Sequence, residues 1–191
     1  MQVIYTGERV RIRPFHDFAE FNSVHAEDYA IPDPFRGPRW WPVSARENAF
    51  EKCGMLDHSA YSMSAIERLD TGALVGISGC SSYRSGLLSM NFGTYILAQY
   101  RGHGFGIEAK LLQLCRLFEN YPLEAVRAST MKHHVSARSS MEACGLRCFG
   151  RLRAIECVDG RCDDEVLYEI FREEWEQLPI RQVVKRGARC M

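Results

Sequence analysis

Gln99-Tyr100-Arg101-Gly102-His103-Gly104-Phe105-Gly106 is the stretch of this sequence whose residue types and spacing most directly specify chemistry. It lies between a strand-like segment, Ser89 to Leu97, and a helix-like segment that runs to about Glu119. A glycine-rich turn at a helix N-terminus leaves backbone N–H groups without intrahelical partners, and the helix dipole adds partial positive charge there. Glycines at 102, 104 and 106 let a bulky anion approach the backbone where a Cβ would clash. Arg101 adds a full charge. The chemistry implied is the holding of a phosphate-bearing ligand.

Three kinds of phosphate loop compete. A Walker A loop requires Lys-Ser or Lys-Thr after the glycines, and none follows here. A dinucleotide fingerprint requires G-x-G-x-x-G after the first strand of a βαβ unit. Here the spacing is G-x-G-x-G and the loop follows three meander-like strands. The remaining option is the pyrophosphate loop of a coenzyme A site.

The elements that must position this loop can be read in order. Arg9-Val10-Arg11-Ile12-Arg13 alternates with the period of a strand that buries one face, and Pro14 ends it. Asp17 suits the N-cap of a first helix carrying Phe18, Phe21 and Val24. The segment Ile31 to Pro42 is broken by prolines, and its Phe35, Trp40 and Trp41 either line a substrate mouth or cover one end of the core. Ser44-Ala45-Arg46-Glu47 has the form of a capping box for a second helix ending near Cys53-Gly54. Tyr61–Arg68 and Ala73–Cys80 read as strands joined by a tight turn at Asp70-Thr71-Gly72, and a turn around Arg84-Ser85-Gly86 leads to the strand before the loop. The helix after the loop places Ile107, Leu111, Leu114, Cys115 and Phe118 on one face. Leu123–Met131 reads as a strand, so strand, helix and strand predict a parallel crossover. A polar switch, Lys132-His133-His134-Val135-Ser136, opens a short helix ending near Cys144-Gly145. Leu146–Val158 and Asp164–Phe171 form a hairpin turning at Asp159-Gly160, followed by Trp175.

Composition bounds the alternatives. The 191 residues are expected to form one domain over 1–178, with a basic and mobile tail over 179–191. Lys+Arg and Asp+Glu both total 24, which gives no global reason to expect nucleic acid or an anionic membrane as partner. No apolar run of membrane-spanning length and no secretory signal pattern are present, so the expected location is cytoplasmic. The eight cysteines are expected to be reduced thiols. Cys144, Cys148, Cys157 and Cys162 lack the turn-borne pairing of zinc knuckles, so no metal is expected. His16, His25 and His58 lack a metal spacing as well.

Gln99-x-x-Gly102-x-Gly104 matches the Q/R-x-x-G-x-G/A signature of the GNAT superfamily, and on it the sequence resembles the GNAT N-acetyltransferases. Tyr100 to Ala109 resembles the subgroup containing the ribosomal-protein N-terminal acetyltransferases. Glu8 to Pro14, Asp70 to Gly76, and Asp159-Gly160-Arg161 with Asp164, Tyr168 and Trp175 are similar to that subgroup's opening strand, inter-strand turn and closing hairpin, so the likeness covers nearly the whole chain. It implies an α/β (α+β) fold with a mixed, mostly antiparallel, V-splayed sheet of about seven strands and helices on both faces.

The resemblance further implies acetyl-CoA as co-substrate. Gln99, Arg101, Gly102, His103, Gly104, Phe105 and Gly106 would hold its pyrophosphate, and the strand end at Tyr95, Ile96 and Leu97 would pair with pantetheine like an added strand. A backbone N–H there would polarise the carbonyl for direct attack by an amine on the thioester. Asn91 stands where relatives often carry a glutamate, and Asn cannot act as a base. Proton removal then falls to His133, His134, Glu27, Asp28, a water chain or an amine already neutral. His134 replaces a common asparagine and either contacts the cofactor or substrate or caps its helix. Met141 stands near the place of a tyrosine acid, leaving Tyr95 as substitute. Catalytic candidates are therefore Asn91, Tyr95 and His134; substrate candidates are Phe35, Trp40, Trp41 and Asn91. Glu108 is read as complementing the helix dipole. The acceptor is a small-molecule or peptide amine, such as a protein N-terminus, and the protein is a monomer or homodimer. The departures at 91 and 134 also admit a CoA-binding module with little transferase activity.

Overall fold

Alternating strands and one long helix build the domain around a single sheet. The computed structural model describes residues 4–30, 42–57, 61–82, 88–158 and 161–187. In chain order the elements are β1 (Tyr5–Thr6), β2 (Val10–Arg13), α1 (Phe18–Ala30), α2 (Val43–Cys53), β3 (Leu56–Asp57), β4 (Tyr61–Arg68), β5 (Leu74–Ser82) and β6 (Ser89–Ile96). A 3-10 turn (Ala98–Tyr100) then leads to α3 (Phe105–Asn120), β7 (Ala125–Met131), α4 (Val135–Ala143), β8 (Arg147–Val158), β9 (Arg161–Phe171), α5 (Arg172–Trp175), α6 (Ile180–Val183) and β10 (Lys185–Arg186). Phe35, Trp40 and Trp41 lie outside the described residues, as do the turns at 84–86 and 159–160. Among the described residues no helix is long and apolar enough to cross a membrane.

The strands lie in the order β10-β1-β2-β4-β5-β6-β7-β9-β8, with β3 paired only to β4. Among the described residues nine strands thus follow one path, more than the seven or so expected, because two-residue strands such as β1 and β10 carry no alternation to read. All neighbours are antiparallel except β6 and β7. That parallel pair is the crossover expected from strand, helix and strand. It pairs only Ser89, Met90 and Asn91 with Ala125, Val126 and Arg127. Beyond that rung β6 continues with β5 to Ile96 while β7 continues with β9 to Met131, so the sheet opens as a V.

Alternation along the central strands sends side chains into two cores. Ile66, Met90 and Phe92 pack with Phe105, Ala109, Leu112 and Phe118 of α3, while Met63, Ala65, Ile77 and Tyr95 pack with Phe21, Val24 and Phe50 of α1 and α2. Helix α3 is buried nearly all round, from Phe105 and Glu108 to Leu117 and Phe118, rather than along the single stripe expected. Its outer side is covered by Met141 of α4, by Cys144 directly after that helix and by Trp175, which stacks on Phe118 with centroids 5.0 Å apart.

Local signals fared unevenly. Asp17 caps α1 as expected, its Oδ1 accepting from Glu20 N at 2.8 Å. Ser44 does not cap α2: Pro42 holds the N-cap position and Ser44 lies inside the first turn. The extended backbone of Pro42, with φ −55° and ψ 146°, starts the helix earlier than the hydroxyl pattern suggested. Residues 179–187, expected as a tail, contribute α6 and β10; Val184 is buried and Arg186 pairs with Glu119 on α3 at 2.6 Å. Cys80, Cys115 and Cys144 are free and buried, and Cys53 and Cys148 are free and exposed. Cys162 is disulfide-bonded, against the expectation of reduced thiols; it stands opposite Cys157 in the β8–β9 register.

Candidate active site

The open V places four features at one mouth: the end of β6, the glycine loop, the N-terminus of α3 and the start of α4. Within the loop Gly102 (φ 80°) and Gly104 (φ 78°) take the left-handed conformation that a side chain strains to adopt. Gly104 is the N-cap of α3. Its carbonyl accepts from Ile107 N at 3.2 Å and from Glu108 N at 3.3 Å. Among the described residues no backbone hydrogen bond takes up the N–H groups of Gly102, His103, Gly104, Phe105 or Gly106. Successive unpaired amides at left-handed residues form an anion nest, here continuous with a helix N-terminus.

Side chains brace the nest from below. Arg9, in the turn between β1 and β2, donates from Nη1 to the carbonyl of His103 at 2.8 Å. A Cβ on Gly104 would come within 2.8 Å of Arg9 Nη2. The guanidinium groups of Arg9 and Arg68 lie 5.6 and 5.3 Å from the centroid of the buried Phe105 ring. His103 is exposed, stacks on Phe105 and donates from Nδ1 to Arg101 O at 2.8 Å, which closes the turn. Arg101 folds back: its Nε donates to Ile96 O at 2.9 Å and its guanidinium covers the Tyr95 ring.

Glu108 does more than complement a dipole. Its Oε1 accepts from Glu8 N at 2.6 Å and from Arg9 N at 2.9 Å, and its Oε2 lies 3.3 Å from Arg9 Nε. It leaves no room for a Cβ at Gly7. A helix-borne carboxylate thereby holds the β1–β2 turn so that Arg9 reaches the loop. The alternating pattern of Arg9–Arg13 showed only a strand with exposed charges, so neither Arg9 nor this role of Glu108 was visible in it.

The edge of β6 supplies the second half of the site. Leu97 N donates to Val75 O at 3.0 Å, so alternation turns the amides of Ile96 and Thr94 away from β5 and into the opening. Asn91 and Tyr95 share the face toward α1 and α2, but they are roughly 13 Å apart along the strand. They do not converge on one atom. Asn91 stands at the last rung before the V opens, while Tyr95, 6 % exposed, belongs to the second core. His134 stands across the opening at the N-cap position of α4 without a side-chain capping bond, its Nδ1 3.3 Å from Thr130 Oγ1 on β7. Neighbouring His133 pairs through Nδ1 with Asp163. Although burial raises the Asp163 carboxyl, hydrogen bonds from Asp164 and His133 hold it below its ordinary value. Gln99 is exposed in the 3-10 turn. The side chains of Glu27 and Asp28 lie outside those described.

The sequence model of the acetyltransferase (GNAT) domain matches residues 9–147. The chain belongs to the GNAT acetyltransferase family and is an acyltransferase. A search by sequence among curated proteins returned no match. Among solved structures, a GNAT-family acetyltransferase from Bacillus anthracis superposes with a TM-score of 0.74 at 21% identity, covering 90% of this chain and 100% of that one. A spermidine N-acetyltransferase chimera of Vibrio cholerae SpeG and hSSAT gives 0.77 at 17% identity, with 90% and 100% covered. A Vibrio cholerae protein provisionally assigned as a ribosomal-protein-serine acetyltransferase gives 0.68 at 14% identity, covering 90% of this chain and 97% of that one. Likeness at these identities establishes the fold.

Proposed function

We propose that this chain transfers an acetyl or other short acyl group from coenzyme A to the primary amine of a small molecule or a protein N-terminus. The observation that carries the reading is the set of loop amides at the α3 N-terminus that lack a backbone partner among the described residues, directly beside the part of β6 that runs on past its pairing with β7. That combination fits both parts of the donor. The nest and Arg9 suit a diphosphate, and the outward amides of Thr94 and Ile96 suit the amide-bearing pantetheine arm, received as an added strand. Acetyl-CoA supplies an acyl group already activated as a thioester.

The residues of this chain divide the remaining work. The outward β6 amides donate to oxygen as negative charge develops on it. Asn91, at the vertex of the V, orients the amine and takes no proton. His133, steadied by Asp163, and His134, beside Thr130, are the titratable groups at the end of β7 able to accept the proton the amine loses. The spermidine and ribosomal-protein relatives support an amine acceptor of either size.

Thiol release from acetyl-CoA, followed across a panel of polyamines and N-terminal peptides, tests the reading; release with at least one amine is expected. Gly104→Glu places a strained, negatively charged side chain in the nest and is expected to weaken CoA binding about 100-fold or more. Unchanged affinity in that variant would refute the loop assignment.

A further inference from the structure

One charged group at the mouth has no role in the site as described so far. Lys110 lies one turn into α3 and is 8 % exposed. Its Nζ is 3.9 Å from the point where a Cβ on Gly106 would stand, and the Ile96 side chain is 3.3 Å from that same point. The ammonium therefore sits directly behind the loop, between the end of β6 and the first turn of α3. Near it stands Cys144, the residue that follows α4, whose thiol donates to Ile107 O at 3.5 Å. Among the described residues the Lys110 ammonium has no hydrogen-bond or ion-pair partner, and its Nζ is not wholly enclosed. Burial pushes its ammonium below the ordinary lysine range, and burial likewise raises the Cys144 thiol to about 11, so Cys144 offers no thiolate as a counter-ion near neutral pH.

A largely enclosed ammonium that no described protein group pairs is costly, since the part of its hydration that it loses is not replaced. Placed at the foot of an anion nest, it recovers that cost when an anion arrives. We infer that Lys110 is a diphosphate-binding residue, an ammonium held in readiness behind Gly106 that pairs with the donor's diphosphate while Arg9 braces the loop through the carbonyl of His103. This rests on the reading of the loop as a diphosphate cradle. It assigns to the interior of α3 a charge that the helical pattern gave no reason to single out.

The test compares wild-type protein with Lys110→Met, a substitution that fills the same apolar surroundings. Titrations use CoA, dephospho-CoA, pantetheine and inorganic pyrophosphate. Lys110→Met is expected to weaken CoA and dephospho-CoA alike, by about 10- to 100-fold, the range of a hydrogen bond to a charged group. Pantetheine, which lacks the diphosphate, is expected to bind equally well to both proteins. The unliganded variant is expected to unfold at the same temperature as wild type or a higher one, because a buried unpaired charge has been removed. Equal CoA affinity in the two proteins would overturn the assignment and leave the donor reading intact, as would an equal loss for pantetheine. If wild type binds pyrophosphate through Lys110 but not CoA, the donor reading falls and the lysine site stands. Lys110→Gln, uncharged but polar, is expected to behave like the methionine variant; full CoA affinity in it would show that charge is not what the site uses.

Discussion

Helix α3 carries a buried cation at each end, and the two are handled in opposite ways. At the mouth, Lys110 lies behind the loop with no side-chain partner among the described residues. At the far end Arg116, 1 % exposed, donates to Ser64 Oγ and Ser62 Oγ on β4, both at 3.0 Å, and to Gln113 Oε1 at 3.4 Å. Burial alone therefore does not mark a functional charge. A side chain whose donors are met by the protein is part of the framework, whereas one whose donors are unmet beside an anion nest awaits a ligand. The same helix thus fastens itself to the sheet at one end and presents charge at the other.

Arg116→Met gives the most forceful test of that contrast. The substitution orphans the acceptors on Ser62, Ser64 and Gln113 and shortens a fully buried side chain. It is expected to cost about 2–4 kcal/mol in urea unfolding and to leave the affinity for CoA unchanged. Lys110→Met is expected to do the reverse on both counts. A neutral or stabilised Arg116 variant would break the comparison, because it would mean that the hydroxyls merely tolerate the charge.

Glu108 sharpens the comparison from the mouth side, as a buried carboxylate whose partners the protein itself supplies. Its carboxylate is already engaged by the amides of Glu8 and Arg9 and by the Arg9 side chain. Glu108→Ala is expected to cost about 1–3 kcal/mol in stability by leaving these donors unmet. It should also weaken CoA binding several-fold, because Arg9 is no longer held at the loop. Stability lost with affinity retained would show that Arg9 finds the loop without the carboxylate.

These contrasts also explain what could be read from sequence and what could not. The meander into the loop, the parallel crossover and the closing hairpin were legible because alternation and glycine punctuation are local signals. The glycine loop was legible because its function lies in its backbone. Lys110 and Arg116 were not, because a helix buried on nearly every side has no polar face against which a charge stands out. The pairing of Arg186 with Glu119 and the bond from Tyr5 to the same carboxylate depend on three segments remote in sequence, so the basic residues after 179 read as a tail. Asn91 and Tyr95 share a strand face, yet strand rise keeps them apart, and a list of candidate types does not contain that distance.

A third buried cation extends the comparison to pH. Arg13, 5 % exposed, is held by carboxylates: it pairs with Glu67 and donates to both oxygens of Glu20, at 2.6 and 2.9 Å. This network fastens the start of α1 to β2 and β4. Burial works to raise the Glu20 carboxyl, but hydrogen bonds from Arg13 and from the His16 amide outweigh it and hold the group below the ordinary 4.5. The unfolded chain therefore takes up this proton at higher pH than the native protein does. The stabilisation is complete above the ordinary value and is lost as pH falls through the depressed native one. Among the described residues Arg116 is held by hydroxyls and an amide, which take up no proton in this range. Glu20→Gln is expected to cost about 1 kcal/mol or less near neutral pH and to flatten the fall of stability below pH 4.5. Arg116→Met should shift the whole stability profile without changing its acid slope. Urea unfolding of both variants between pH 3 and 7, a range set to span the ordinary carboxylate values, separates the two kinds of support; an unchanged acid limb in Glu20→Gln would remove Glu20 from the groups whose protonation weakens the fold.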